Sequence, residues 1–341
     1  MKKLISVLAA VAAGAALAAT NVANAAGTLA TVKQHGYVTC GVNTGLPGFS
    51  QPDSKGHWTG IDADTCRAVA AAIFGDASKV KFVPLTAKER FTALQSGEVD
   101  VLIRNTTWTL SRDASLGLNF TGTNYYDGQG FLVKKSLGVK SAKDLNGATI
   151  CVLSGTTTEL NLAGYFRFHN MKYQPLVFDT SDQTDQAFSK GRCDALTSDR
   201  SQLAALRSKL PDPSSAVLLP EVISKEPLGP VVREGDDEWF NIVKWALFAQ
   251  IDAEEMGITS KNVDQMKNSK NPDVERLLGV NGDMGAKLHL SNDWAYNIVK
   301  EVGNYGEMFA RNIGEGTPLN LDRGLNALWT NGGILYAPPV R

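Results

Sequence analysis

Short strand-like apolar runs take turns with stretches of helical apolar period along most of this chain. Tyr37–Val42 reads as a strand. Asp62–Phe74 then places Cys66, Val69, Ala70, Ile73 and Phe74 at i, i+3, i+4, i+7 and i+8, the stripe of an amphipathic helix. Val80–Pro84 is a second strand. Thr86 and Glu89 form a capping box ahead of a helix that turns Phe91 and Leu94 inward and stops at Gly97. Val99–Ile103 returns to strand. Strand, helix, strand, helix, strand is the order of a parallel α/β layer.

The second half repeats the order. Thr149–Leu153 is a strand. Thr156 and Glu159 make another capping box, before a helix ending near Phe168. Gln174–Phe178 is a strand, Ser181–Lys190 a helix stopped by Gly191, and Ala195–Ser198 a strand. Ala93–Asp100 and Ala187–Asp194 echo one another: helix end, Gly, two residues, Asp, strand. Leu228–Arg233 reads as one more strand. An amphipathic helix follows from about Asp236, with Trp239, Ile242, Val243, Ala246 and Leu247 on one face and Gly257 as its stop. Helices are expected around Pro272–Leu278 and Asp293–Asn312, before an aromatic tail with Pro338 and Pro339.

The first 25 residues stand apart. Met1-Lys2-Lys3 is a positive start, Val7–Ala19 an apolar run, and Ala23-Asn24-Ala25 a small-residue cleavage site. Together they predict a secretory signal peptide over 1–25. The apolar run falls short of the ~18 residues needed to span a bilayer. The longest later run, Ala68–Phe74, is shorter still and amphipathic in context. A soluble exported protein, cut near Ala25, is expected.

Composition narrows the class. Hydrophobic residues at 43% and charged ones at 20% exclude a disordered chain. With 34 Lys plus Arg against 35 Asp plus Glu there is no basic footprint for nucleic acid. Four cysteines, Cys40, Cys66, Cys151 and Cys193, suggest two disulfides in an oxidising compartment. Three pairings are open; 40–66 with 151–193 keeps each bridge inside one half. Their spacing resembles no zinc pattern. His35, His57, His169 and His289 sit in no metal motif, and no phosphate loop, GxSxG elbow or dinucleotide fingerprint occurs. No cofactor and no metal are expected.

Three segments carry chemistry. Arg104–Asp113 follows a strand end, Ser154–Glu159 opens a helix, and Asp194–Asp199 is a strand ending in an acid. Ligands of open α/β sheets bind outside the carboxyl ends of the strands, where all three lie. The set complements a zwitterion. Arginine takes a carboxylate through a two-bond fork. Threonine hydroxyls and a helix N-terminus add donors, and Asp199 can accept from an ammonium.

These residues carry a resemblance. Gly60–Asp64, Leu94–Val101, Thr107–Arg112, Phe120–Tyr126, Lys143–Gly147, Ser154–Glu159 and Gly191–Asp199 resemble the bacterial extracellular solute-binding proteins for polar amino acids, the receptors of ABC importers. The C-terminal Val302–Tyr305, Arg323–Asn326 and Tyr336–Arg341 resemble the general L-amino acid-binding periplasmic branch. The resemblance implies a type II periplasmic-binding-protein fold: two Rossmann-like α/β lobes, a two-crossing hinge and a C-terminal helical extension. It implies a lobe of 26–125 plus 226–341, a second lobe of 126–225, and crossings near Tyr125–Tyr126 and Ser224–Pro227. Arg112 matches the α-carboxylate binder, Thr107 and Thr157 the hydroxyl donors, Asp199 the ammonium acceptor and Asn105 a small polar site residue. Arg90 matches a side-chain-carboxylate binder. Receptors for basic amino acids carry an early acid and aromatic; here Asn43 and Leu46 stand there, and Ala87 stands near the place of the stacking aromatic. A roomier pocket of broad specificity is implied, with Trp108 as an apolar wall or a core residue. The implied partners are an L-amino acid and an inner-membrane ABC permease, for a monomer in the periplasm.

A cyclohexadienyl dehydratase-like enzyme on the same fold is the rival, since fold does not decide function. It needs a spare general acid in the cleft, and Glu159 reads as a helix cap. A lytic enzyme or a membrane-bound sensor would need segments this chain does not show. The stretch after Ser260 is expected to extend the first lobe rather than to contact the permease.

Overall fold

The computed structural model describes residues 27–341; the expected signal peptide lies outside them. Two five-stranded sheets form the frame. The first runs in the order Val80–Leu85, Val38–Asn43, Val101–Leu102, Val231–Arg233, Leu118–Phe120. The second runs Gln174–Phe178, Thr149–Leu153, Ala195–Asp199, Gln129–Lys134, Ala216–Leu218. In each sheet the first three strands are parallel, joined by helices, and the fourth is antiparallel. That fourth strand comes soon after a crossing between the lobes: Gln129–Lys134 after the first crossing, Val231–Arg233 after the second. The crossings pair with each other as antiparallel strands, Tyr125–Asp127 against Glu226–Leu228. This is the type II binding-protein arrangement.

The echo seen in the sequence is physical. Gly97 and Gly191 both take left-handed backbone at the helix exit. Shortly after each glycine, Asp100 and Asp194 do the same job in their own lobes. The Asp100 N–H donates to the Thr39 carbonyl and its carboxylate accepts from the Thr39 N–H, both at 2.8 Å. Asp194 makes the same pair with Thr149, again at 2.8 Å. Each aspartate therefore locks its strand to the neighbouring parallel strand of its sheet, Val38–Asn43 or Thr149–Leu153, by a two-way clamp.

Disulfides join Cys40 to Cys66 and Cys151 to Cys193. The first ties a central strand to the helix Ile61–Phe74 that covers it. The second ties the corresponding strand to the turn before Ala195–Asp199. The main core lies between the first sheet and the helices Ile61–Phe74, Asp237–Glu255 and Trp294–Glu301, around Trp239, Trp294 and Val69. The Trp239 indole N–H reaches the Asp100 carbonyl at 2.9 Å, so this large ring is buried with its polar atom paired.

The expected strands and helices are present with three departures, and the strands Leu118–Phe120, Gln129–Lys134 and Ala216–Leu218 and the helices Thr28–His35 and Arg200–Ser208 are additions to them. The expected strand Leu228–Arg233 is two strands in different sheets, Glu226–Leu228 and Val231–Arg233. Gly229 makes the break: a Cβ there would stand 1.9 Å from the Gly122 carbonyl oxygen. The expected helix Asp293–Asn312 is Trp294–Glu301 and Tyr305–Asn312. Gly303 is left-handed there, and Asn304 with Glu307 builds a new capping box. The capping box expected of Thr156 and Glu159 is half formed. Thr156 accepts from the Glu159 N–H, but the Glu159 carboxylate takes the Gly155 N–H at 3.1 Å instead.

No helix among the described residues is long and apolar enough to cross a membrane.

Candidate functional site

The three chemistry-bearing segments meet where the lobes face each other. Arg112 lies in the short helix Leu110–Ser115, started by the Thr109 side chain. Its Nη1 donates to the Thr107 carbonyl at 2.9 Å, and its guanidinium lies over the Phe91 ring at 5.2 Å. Arg90 begins the helix Arg90–Gln95 and stacks over the same ring at 4.8 Å. Phe91 thus lies against two guanidiniums, which fixes their planes without taking up their donors. Arg90 makes only long bonds, 3.5 Å to Thr106 Oγ1 and 3.5 Å across the cleft to the Gly155 carbonyl, and its buried Nε has no partner.

Asp199 ends the strand Ala195–Asp199 on the opposite lobe. It is 5% exposed, and its Oδ1 is buried without a hydrogen-bond partner. Burial pushes its carboxyl well above the ordinary aspartate range; Asp127 and Glu226 add to this, and Arg90 and Arg112 oppose it. Burial pulls the Arg90 guanidinium well down, helped by Arg112 and Arg104. Arginine keeps its proton in proteins, so the direction records a cation held without an adequate anion. Among the described residues no ion pair joins Asp199 to Arg90 or Arg112. Opposite charges are buried near each other and left apart, an arrangement that is costly unless something of matching charge lies between.

The other expected residues fall around this pair. Asn105 has a left-handed backbone at φ 34, and its N–H is held by Asp62 Oδ2 at 2.7 Å. Such a conformation in a residue other than glycine marks a place where tertiary contacts set the backbone. Its side chain accepts from Asn43 Nδ2 at 2.9 Å and donates across the cleft to Gln202 Oε1 at 3.4 Å. Thr107 Oγ1 lies 3.3 Å from Thr157 Oγ1, again across the cleft. Thr157 starts the helix Thr157–Phe168, whose first-turn N–H groups have no partner in helix geometry. Trp108 is neither core nor shielded: it is 38% exposed and stacks flat on Phe120 at 5.6 Å. Leu46 is fully buried in the cluster beside the hinge.

Several residues at the site were not singled out in the sequence. Arg104 is buried with its Nε on the Leu85 carbonyl at 2.9 Å; burial lowers it to about 10, against the pull of Asp62. Burial raises Asp62 to about 6 and Asp127 to about 6. Gln202 and Glu226 complete the set. Glu226 is 1% exposed and accepts from Thr157 Oγ1 at 2.8 Å, Asn161 Nδ2 at 2.8 Å and Ser224 Oγ at 2.5 Å. Asp62 stands inside the Gly60–Asp64 motif and Arg104 opens the Arg104–Asp113 segment, so both carry a local signal. Glu226 and Gln202 carry no local signal. Among the described residues no cluster of His, Cys, Asp and Glu suits a metal ion.

The chain matches the bacterial extracellular solute-binding proteins, family 3, over residues 38–262. It is 60% identical over 331 residues to the general L-amino acid-binding periplasmic protein AapJ of Rhizobium johnstonii, covering 96% of this chain and 97% of that one. It is 55% identical over 335 residues to the glutamate/glutamine/aspartate/asparagine-binding protein BztA of Rhodobacter capsulatus, covering 98% and 97%. An ABC transporter/periplasmic binding protein from Brucella ovis, solved with glutathione bound, superposes with a TM-score of 0.91 at 58% identity, covering 93% of this chain and 100% of that one. These relatives are named for binding and transport, not for catalysis. With this match and a cleft of buried, unpaired charges between two lobes, the chain belongs to the bacterial extracellular solute-binding proteins of family 3.

Proposed function

We propose that this protein is the substrate-binding receptor of an ABC-type importer of L-amino acids, and that it closes on its ligand by hinge motion and delivers it to an inner-membrane permease. Residues 26–125 with 226–341 form one lobe and 126–225 the other. It is exported, cut near Ala25, and acts as a monomer in the periplasm. Arg112 and the N–H groups opening the helix at Thr157 receive the α-carboxylate, with Thr107 beside them. Asp199 takes the α-ammonium. Arg90 faces a second acceptor on the side chain, with Asn43 and Asn105 at the same wall. Broad specificity including acidic and amide side chains fits this set, as do the names of BztA and of the glutathione-bound relative.

One observation carries the reading: Asp199 and Arg90 are buried on facing lobes with Oδ1 and Nε unpaired, and Arg112 is buried beside Arg90. A zwitterion supplies both missing partners at once. Against the dehydratase rival, the Glu159 carboxylate is taken by the Gly155 N–H, and the relatives above are named for binding.

A thermal-shift screen of the twenty L-amino acids and glutathione tests the proposal. A ligand bound only by the native state raises the melting temperature. Arg112→Ala is expected to weaken the best ligand at least about a hundredfold by calorimetry, the scale of losing a buried charge-assisted pair. Near-wild-type affinity would remove Arg112 from the site.

A further inference from the structure

Thr157 has one proton to give. Its hydroxyl lies 2.8 Å from Glu226 Oε2 and 3.3 Å from Thr107 Oγ1. A carboxylate only accepts, so the Thr157 proton goes to Glu226. Thr157 then faces Thr107 as an acceptor, and Thr107 must be the donor of that contact. The direction runs from the first lobe (Thr107), through the second (Thr157), into the hinge strand Glu226–Leu228. At 3.3 Å the Thr107 contact is long for a pair of hydroxyls.

The Glu226 carboxylate is otherwise full. Oε1 accepts from Asn161 Nδ2 and Ser224 Oγ. Asn161 lies one turn beyond Thr157 on the same helix, and Ser224 lies in the second crossing. Glu226 therefore pins the opening turn of the helix Thr157–Phe168 to the hinge, the turn that meets the first lobe on closure. It also lies near Arg112, whose positive charge it favours.

We propose that Glu226 is a positioning residue that couples closure of the cleft to ligand capture: it orients Thr157 as an acceptor for Thr107, so that the two lobes meet through a directed hydrogen-bond chain anchored in the hinge. In this arrangement the Thr157 hydroxyl is not a second donor to the ligand carboxylate. The inference rests on the ligand-binding reading of the cleft.

The test is a double-mutant cycle read in binding kinetics. Glu226→Ala, Thr157→Val and the double variant are titrated by stopped-flow with L-glutamate, or with whichever L-amino acid wild type binds tightest. Each single variant is expected to weaken binding about tenfold, the scale of one hydrogen bond to a charged group. The loss should fall on the dissociation rate, because the chain forms only in the closed state. The double variant should lose little more than either single one, since the interaction is shared. Thr157→Ser, which keeps the hydroxyl, should bind like wild type. Glu226→Gln keeps the size of the side chain and provides a second variant should Glu226→Ala fold poorly; it too should dissociate faster. Additive losses, a loss confined to the association rate, or wild-type binding by Glu226→Gln would overturn the coupling while leaving the receptor reading intact. Wild type that binds no L-amino acid would overturn both.

Discussion

Asp199 shows how much one side chain depends on its surroundings. It holds a proton more firmly than an ordinary aspartate because it is buried beside Asp127 and Glu226. An incoming ammonium reverses that balance by offering the carboxylate an opposite charge. Ligand binding should therefore expel a proton from Asp199 on the acid side of its raised titration, where the ligand-free protein still holds that proton. Calorimetry in two buffers of different ionisation enthalpy measures it directly: wild type should release protons, and Asp199→Asn should not. Proton uptake by wild type would contradict the assignment. Arg112, Thr107, Asn105, Thr157 and Asp199 were all legible as candidates, because each stands at a strand end or helix start in a recognisable local motif. Glu226 was not. It lies among ordinary hinge residues, and only the pairing of Glu226–Leu228 with Tyr125–Asp127 brings it against a helix residue 69 positions away in the chain.

At the scale of elements, the hinge is more than two strands. The Tyr126 N–H donates to Asn326 Oδ1 at 2.7 Å, and Asn326 Nδ2 donates to the Tyr126 carbonyl at 3.0 Å. One amide side chain thus fills the open edge of a hinge strand. Arg323 secures that loop by a two-bond fork to Glu254, at 2.8 and 3.0 Å, a pairing stronger and more directional than a single contact. Tyr305 donates to the Asn124 carbonyl at 2.8 Å, and Phe309 stacks on Tyr125. The stretch after Ser260 packs Val274, Leu277, Trp294 and Ile298 into the core beside the first sheet, and it also braces the hinge. Asn326→Ala should speed hydrogen exchange of the Tyr126 amide in the ligand-free protein, because that N–H loses its acceptor. Exchange as slow as in wild type would place the protection elsewhere. Most strands and helices were readable from apolar period and caps. The misread ones failed where a glycine turned the chain for a tertiary reason: Gly229 has Gly122 against it, and Gly303 turns the chain between two helices.

At the scale of the molecule, the lobes touch. Besides the contacts within the cleft, Lys88 pairs with Asp179 at 2.5 Å and Lys209 Nζ reaches the Gly45 carbonyl at 3.5 Å, both between lobes. The Lys88–Asp179 pair is 54% and 68% exposed, so it contributes no more than about 1 kcal/mol. The three contacts inside the cleft are 3.3 to 3.5 Å long. Surface pairs and long bonds leave the balance of open and closed states to the ligand's own differential affinity. Burial has a second global consequence. It raises Asp62 and Asp127 to about 6 and Asp252 to about 7. The folded form then binds more protons than the unfolded form between about pH 4 and 7, so stability from these groups grows as pH falls through that window and is lost as pH rises. The ligand-free protein should melt a few degrees higher at about pH 5 than at about pH 8. A lower melting temperature at about pH 5 would show that other groups dominate.

The sequence by itself determined the local physics: the two α/β repeats, the caps, the two-way Asp100 and Asp194 clamps hinted at by their echo, and the residue types suited to a zwitterion. These follow from period, neighbouring side chains and backbone preference, which act over a few residues. Tertiary structure decided which of those residues face one another across the cleft, which charges lose water without gaining a partner, and which way the Thr157 proton points. Those properties depend on distance and burial between segments far apart in the chain, and only the folded arrangement of hinge, lobes and C-terminal extension sets them.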